Sequence, residues 1–248
     1  QPQRWLGAGG TPTTDEEYTG ELTLSPSQFE RALACPLRWF LTTIGADGPS
    51  NAAASLGTLI HAVAEEHPHG TPDELTAALE ARIEELGYNL DTWAGRVADR
   101  HARDIVNNLA SYLEGIPGPV EVEQTVSAQV EGVTIRGRMD RLEHVDEGVR
   151  VTDLKTGKSG YSAKTVPDNP QLAAYQMALL ASGERVAGAR IALLGGSKPQ
   201  IYDQPALQGE ELERWRESVR EVALSARGPY FEARPSQEAC RYCSFDRL

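Results

Sequence analysis

Apolar positions change period midway along the chain. Ser25-Pro26-Ser27 can open a helix, with Ser25 or Ser27 as cap, that carries Phe29 and Leu33 and, past Pro36, Leu37 and Phe40. After a polar gap from Gly45 to Asn51, Leu56, Leu59, Ile60 and Val63 share one helical face that ends near His67-Pro68-His69-Gly70. Longer helices are predicted over 72–87, with Leu75, Leu79, Ile83 and Leu86 at helical spacing, and over 91–115. Alternation then takes over. Strands are predicted from Val120 to Val130, Val133 to Val145 and Val149 to Leu154, joined by turns at Glu131-Gly132 and Asp146-Glu147-Gly148. A Lys/Gly/Ser/Pro loop leads to a helix over 169–182 (Leu172, Tyr175, Leu179), then to strands from Ala189 to Leu194 and Gln200 to Tyr202. A last helix over 209–227 turns Leu212, Trp215, Val219 and Val222 inward. The order is that of an α/β protein. Residues 1–22 read as an arm or linker, and 23–248 as one domain. That domain has a helical part (25–117), a sheet core (118–205) and a C-terminal helix with a cysteine tail (206–248).

Composition narrows the class. The 248 residues suffice for a sizeable core, and 40% hydrophobic with 24% charged residues is ordinary for a globular protein. No apolar run nears the ~20 residues of a membrane span and no signal segment opens the chain, so a cytoplasmic protein is expected. The first residue is Gln rather than Met, which favours an excised domain. A net charge of −12 argues against a uniformly basic nucleic-acid binder, though a local site can have the opposite sign. Only four lysines occur, and Lys155, Lys158 and Lys164 fall within ten residues.

The chemistry concentrates in the same place. Asp153 and Lys155 project to one side of a strand while Leu154 goes to the core, and neither charge is cheaply buried without a partner or a metal. Asp140, on the preceding strand of the meander, can come alongside Asp153. Two adjacent carboxylates repel unless a divalent cation such as Mg²⁺ or Mn²⁺ lies between them. Taken alone, Asp-x-Lys is ordinary for a surface salt bridge.

Four motifs in order change that balance: Gly57 to His61 as Gly-x-x-x-His, Gly137 to Asp140 as Gly-x-x-Asp, Asp153 to Gly157 as Asp-x-Lys-Thr-Gly, and Gln171 to Tyr175 as Gln-x-x-x-Tyr. Across residues 25–243 the chain resembles the RecB-like branch of the PD-(D/E)XK nuclease superfamily, which includes the nuclease domains of RecBCD, AddAB and AdnAB helicase–nucleases. The resemblance implies a restriction-endonuclease-like α-β-β-β-α-β core, with a mixed sheet flanked by helices and an N-terminal helical part. It implies a metal-dependent, exonuclease-type deoxyribonuclease acting on single-stranded DNA during repair of double-strand breaks in a bacterium. No phosphate-binding Gly-x-x-x-x-Gly-Lys-Ser/Thr occurs, so the helicase motor would be elsewhere in the parent chain or in a partner subunit. His61, Asp140, Asp153 and the Leu154 backbone carbonyl would hold the metal. Asp140, Asp153 and Lys155 would carry catalysis, with Gln171 and Tyr175 positioning DNA or bracing Lys155. Arg138, Lys158 and Lys164 would contact the nucleic acid, with Arg136 and Arg141 beside them in a basic lip. Glu123 matches an acidic position of the family's first strand, where it would assist a second metal or a water, but an exposed strand glutamate is the stronger expectation. His67, His69, His101 and His144 read as surface residues.

Cys35, Cys240 and Cys243 match three of the four cysteines that hold a 4Fe-4S cluster in many RecB-like nucleases, with the fourth ligand expected beyond Leu248. Such a cluster would staple the first helix to the tail. Zinc, free thiols or a lost cluster are the alternatives. Two other readings differ in function: a non-catalytic DNA-binding scaffold that keeps the fold, and a free-standing nuclease of the kind serving CRISPR adaptation. His61, Asp140, Asp153 and Lys155 are all present, which argues against the scaffold.

Overall fold

A computed structural model describes residues 15–46, 52–83, 87–116, 118–236, 240 and 243–245, with the side chains of 52–55 left aside. Strand β1 (Leu22–Leu24) is followed by helices α1 (Pro26–Ala34), α2 (Pro36–Thr43), α3 (Ala52–Glu66), α4 (Pro72–Arg82) and α5 (Trp93–Glu114). Then come β2 (Val120–Val130), β3 (Val133–Val145), β4 (Gly148–Lys155), α6 (Pro170–Ala181), β5 (Val186–Leu193), β6 (Gln200–Pro205) and α7 (Gly209–Ser225). The expected α/β order is present, and the mixed sheet lies between two helical layers.

Cap chemistry sets the helix starts. Ser25 and Gln28 form a capping box ahead of Pro26, Thr71 and Glu74 form another ahead of Pro72, and the Asn169 side chain accepts from Leu172 N ahead of Pro170. Pro36 divides the first predicted helix in two, and Cys35 at the break ends α1 and begins α2. Several boundaries differ from the sequence pattern. Leu22, read as the end of the arm, already pairs in β1; α4 ends at Arg82, and Leu86 lies outside the described residues. The last strand runs on to Pro205, held by its ladder to β5.

One apolar layer packs α1, α6 and α7 on the sheet through Phe29, Leu172, Met177, Trp215 and Val219. The other packs α3, α4 and α5 through Ile60, Leu75 and Ile105 onto Leu154, Ala192 and Leu194. Helix α6 is buried all round, from Gln171 to Leu179, as a helix enclosed between sheet and α1 must be. Among the described residues, no helix is long and apolar enough to cross a membrane.

The sheet is split where it matters. β2 lines one edge of β3 along its length, so β1 and β4 share the other edge at opposite ends. β1 pairs with residues 133–135 and β4 with residues 141–145, leaving an opening between them. At its margin the backbone changes face. Val133, Ile135 and Met139 enter the α6-side core, but past Asp140 it is Leu142 that does so, while Arg141 turns to the α5 side. On β2 the residue opposite, Glu123, takes φ +53, in the left-handed region that is costly for a side-chain-bearing residue.

Gly137 sits in this opening. A Cβ there would come within 2.6 Å of Pro26 Cδ and 3.0 Å of Tyr175 Cε1. The glycine therefore lets the start of α1 and the middle of α6 close on β3. Gly137→Val should destabilise the protein by about 1–3 kcal/mol through overpacking, read as a lower urea midpoint at unchanged slope.

Candidate active site

Asp140 closes the opening with its side chain. Where β3 parts from β4, the Leu154 amide donates to Asp140 Oδ2 at 2.7 Å, in place of a ladder bond. The other oxygen, Oδ1, lies 3.1 Å from His61 Nδ1 on α3. One carboxylate thus joins β3, β4 and the helical layer behind them.

Asp153 and Lys155 lie on the α6 side of β4, while Leu154 enters the opposite core. Lys155 Nζ is 2.7 Å from Asp153 Oδ2. Gln171, in the first turn of α6, bridges the pair: its Nε2 donates to Asp153 Oδ1 at 2.9 Å and its Oε1 accepts from Lys155 Nζ at 3.2 Å. One turn further, Tyr175 Oη donates to the Arg138 carbonyl at 2.8 Å. Gln171 therefore braces Lys155, whereas Tyr175 fixes the β3 backbone two residues before Asp140.

The structure adds a residue that the strand pattern left as an ordinary exposed glutamate. Glu123 turns inward through its left-handed backbone, and ligand atoms of His61, Glu123 and Asp140 lie within 4.8 Å of one another. An imidazole and two carboxylates, all half-buried, suit a divalent cation that takes oxygen and nitrogen donors. Asp153 is not one of this trio, since its oxygens face Gln171 and Lys155. The signal for Glu123 in the sequence was its match to the acidic position on the family's first strand.

The expected basic residues divide. Lys158 and Lys164 are exposed on the segment after β4. Arg138 is exposed too, but it is paired with Glu123 and with Glu65 Oε1 at 3.0 Å. Arg141 is no part of a basic lip. It is fully buried, 3.7 Å from Glu143, because the change of face at Asp140 turns it beneath the sheet. His144 has a partner as well, Glu121 at 2.8 Å.

Opposed effects set the protonation of the site. Burial works against a charged His61, but the hydrogen bond to Asp140 and the charges of Asp140, Asp153 and Glu123 outweigh it and raise its pKa. Burial also works against the Lys155 ammonium, yet Asp153 foremost raises its pKa and keeps it charged. The Asp153 carboxyl is itself pushed up by burial, an effect that Lys155 opposes. Burial raises Glu123, against the pull of Arg138.

The cysteines lie apart from these groups. Cys35 Sγ accepts from Arg234 N at 3.5 Å, and Leu37 N donates to the Glu232 carbonyl at 3.1 Å. Phe231 stacks on Phe40 with centroids 4.1 Å apart. The tail thus returns to α1 and α2 by packing and backbone hydrogen bonds. Cys240 and Cys243 share a turn, and none of the three cysteines is in a disulfide. Three thiols are one fewer than a four-thiolate cluster needs, and the sequence has no fourth cysteine.

Known proteins place this geometry in a lineage. No curated protein matches the sequence. Among solved structures, an Eubacterium rectale protein named as a candidate exonuclease superposes with TM-score 0.53 at 16% identity, over 96% of this chain and 95% of that one. The protein SSO0001 superposes with TM-score 0.44 at 16% identity, over 92% of this chain and 85% of that one. The family model of the PD-(D/E)XK nuclease superfamily matches residues 23–248, and the chain belongs to that superfamily.

Proposed function

We propose that this chain is a metal-dependent deoxyribonuclease of the RecB-like branch. It hydrolyses phosphodiester bonds of single-stranded DNA from an end, fed by a helicase motor in the same parent chain or a partner subunit, at double-strand breaks. One observation carries the catalytic reading: the Asp140 carboxylate is shared between His61 and the Leu154 amide, with Asp153 and Lys155 on the next strand interlocked through Gln171 of α6. The order of the four motifs supports the branch, and the exonuclease label of the Eubacterium rectale structure agrees with action at DNA ends. The motor and the repair setting rest on the motifs' resemblance to helicase–nucleases.

Nucleases of the superfamily use divalent metals. In this reading His61, Glu123 and Asp140, together with Asp153 and the Leu154 carbonyl, hold Mg²⁺ or Mn²⁺. The bound cation supplies positive charge against a phosphoryl oxygen and a more acidic water. Lys155, kept as an ammonium, offsets negative charge as it grows on the phosphoryl group. Gln171 holds Lys155 and Asp153 in register, and Tyr175 holds β3. Lys158 and Lys164 meet the DNA backbone, and Arg138 joins them when it exchanges Glu65 or Glu123 for phosphate. Cys35, Cys240 and Cys243 lie apart from these groups and supply three of the four thiolates that a 4Fe-4S cluster needs.

The test is cleavage of a labelled single-stranded oligonucleotide with Mg²⁺ or Mn²⁺. Asp153→Ala and Lys155→Ala should each lose activity by about 10²-fold or more while melting as folded proteins. No cleavage by the folded wild type with either metal sinks the reading. Glu123→Gln should weaken Mn²⁺ binding by roughly 10-fold or more, measured by calorimetry.

The raised pKa of His61 sets a pH dependence. Below that pKa the imidazolium must lose its proton to ligate. Mn²⁺ affinity should therefore climb as pH rises through 6.5 and level off only above the raised value. Where His61 is the exchanging group, the slope approaches roughly tenfold per pH unit. His61→Gln should flatten it, and an equally steep profile in that variant would assign the proton elsewhere.

A further inference from the structure

A cavity of about 820 Å³ opens at the start of α6, next to Gln171, which holds the Asp153–Lys155 pair, and of its lining residues only Lys164 has been given a functional role so far. Arg31 and Arg38, from α1 and α2, line one wall. Tyr161, Lys164 and Asn169, from the segment that leaves β4 and enters α6, line the other. Of its acids, Asp168 pairs with Arg214 at 2.8 Å, and Glu30 stays in the cavity wall, accepting from the Asn169 side-chain amide at 3.4 Å. Arg31 and Lys164 have no ion-pair partner among the described residues. The N-terminus of the 12-residue helix α6 also opens here, with the positive end of its dipole. In a chain of net charge −12, this is a local surplus of positive groups.

Tyr161 connects the cavity to the candidate chemistry. Its half-buried ring packs against the α6-side core, and its hydroxyl feels the charges of Lys155 and Asp153 as well as that of Glu30. Asn169 and Pro170 line the same cavity, and Gln171, the next residue, holds Asp153 and Lys155, so a strand lying on Tyr161 reaches the start of α6 beside that pair. The volume falls within the roughly 300–1,000 Å³ of small-ligand pockets. That accommodates a nucleotide or two of single strand. Cations along a backbone path with an aromatic face beside them are the combination that binds single strands without reading sequence.

We infer that this cavity seats the stretch of single-stranded DNA adjoining the bond that is cut, with Arg31, Arg38 and Lys164 on its phosphates and Tyr161 stacked on a base. The inference rests on the nuclease reading and gives it a substrate class and a path.

The test is binding of fluorescein-labelled dT12 to the whole chain in EDTA, by anisotropy across a salt series. It is separate from cleavage, so failure to cut DNA and failure of the cavity are distinct results. Tyr161→Ala should weaken binding roughly 5- to 100-fold and Tyr161→Phe should restore it, since stacking needs the ring and not the hydroxyl. Arg31→Ala and Lys164→Ala should each lower the slope of log affinity against log salt by about 0.7, one phosphate contact apiece. A merely structural role for these residues would leave the slope unchanged. An unlabelled 12-base-pair duplex should compete poorly. The inference is overturned if the wild type does not bind dT12. It is also overturned if the three alanine variants bind with wild-type affinity and salt slope, or if the duplex competes as well as the single strand.

Discussion

The hydrogen bond from the Leu154 amide to Asp140 is the point on which the rest of the structure hangs. A sheet that splits must leave backbone groups without ladder partners, and an unpaired buried amide costs about 1–3 kcal/mol. Here a carboxylate takes the place of the missing carbonyl, a charge-assisted bond stronger than the one it replaces. Because the same group also meets His61, the distance between β4 and α3 is fixed by one side chain. The opening that results is where β4 ends, α6 begins and the acidic trio gathers.

Holding that opening demands support on both faces. On the α6 side, Gln204 donates to the carbonyls of Pro167 and Asn169 and accepts from Gln176, whose own carbonyl receives Leu207 N. This buried amide pair fixes the start of α6, and with it Gln171. On the α5 side, Tyr112 donates to Glu143, which also accepts from Arg150 and lies beside Arg141. Arg141 is wholly buried, and no hydrogen bond reaches its guanidinium among the described groups. Desolvation lowers its pKa against the pull of Tyr112 and Glu143. Removing one partner of such a buried pair costs about 3–5 kcal/mol, because the other charge is then stranded. The cluster is the consequence of a strand that changes face at Asp140: its next residue had to go somewhere, and it went inward.

Local signals were the legible ones. Ser25 marked a helix start that the structure keeps, and Thr71 and Asn169, likewise followed by proline, cap two further expected helices, since a cap needs only its own four residues. Alternation placed Asp153 and Lys155 together with Leu154 opposed, because pleat geometry is independent of what lies around the strand. β1 was not legible: three residues carry no periodicity, and Leu22–Leu24 is a strand only because β3 is there to pair with it. Glu123 was misjudged for a related reason. Strict alternation sends it outward, and its left-handed backbone, which turns it toward His61, is imposed by the kink opposite Asp140. Arg138 and Arg141 were both assigned to a basic lip, yet the same kink leaves one paired with carboxylates and buries the other.

The sequence by itself determined the order of elements, the caps, and the chemical identity of the groups at the ends of β3 and β4, all of which depend on neighbours a few residues away. It also placed Gly137 where only a glycine lets Pro26 and Tyr175 approach β3. The tertiary structure alone decided which carboxylates share a site, which arginines reach solvent, and where a cavity remains at the start of α6. Those outcomes turn on contacts between residues as far apart as Glu30 and Asn169, or His61 and Asp140. Spacing along the chain carries no information about such distances until the sheet has split and the helices have closed on both of its faces.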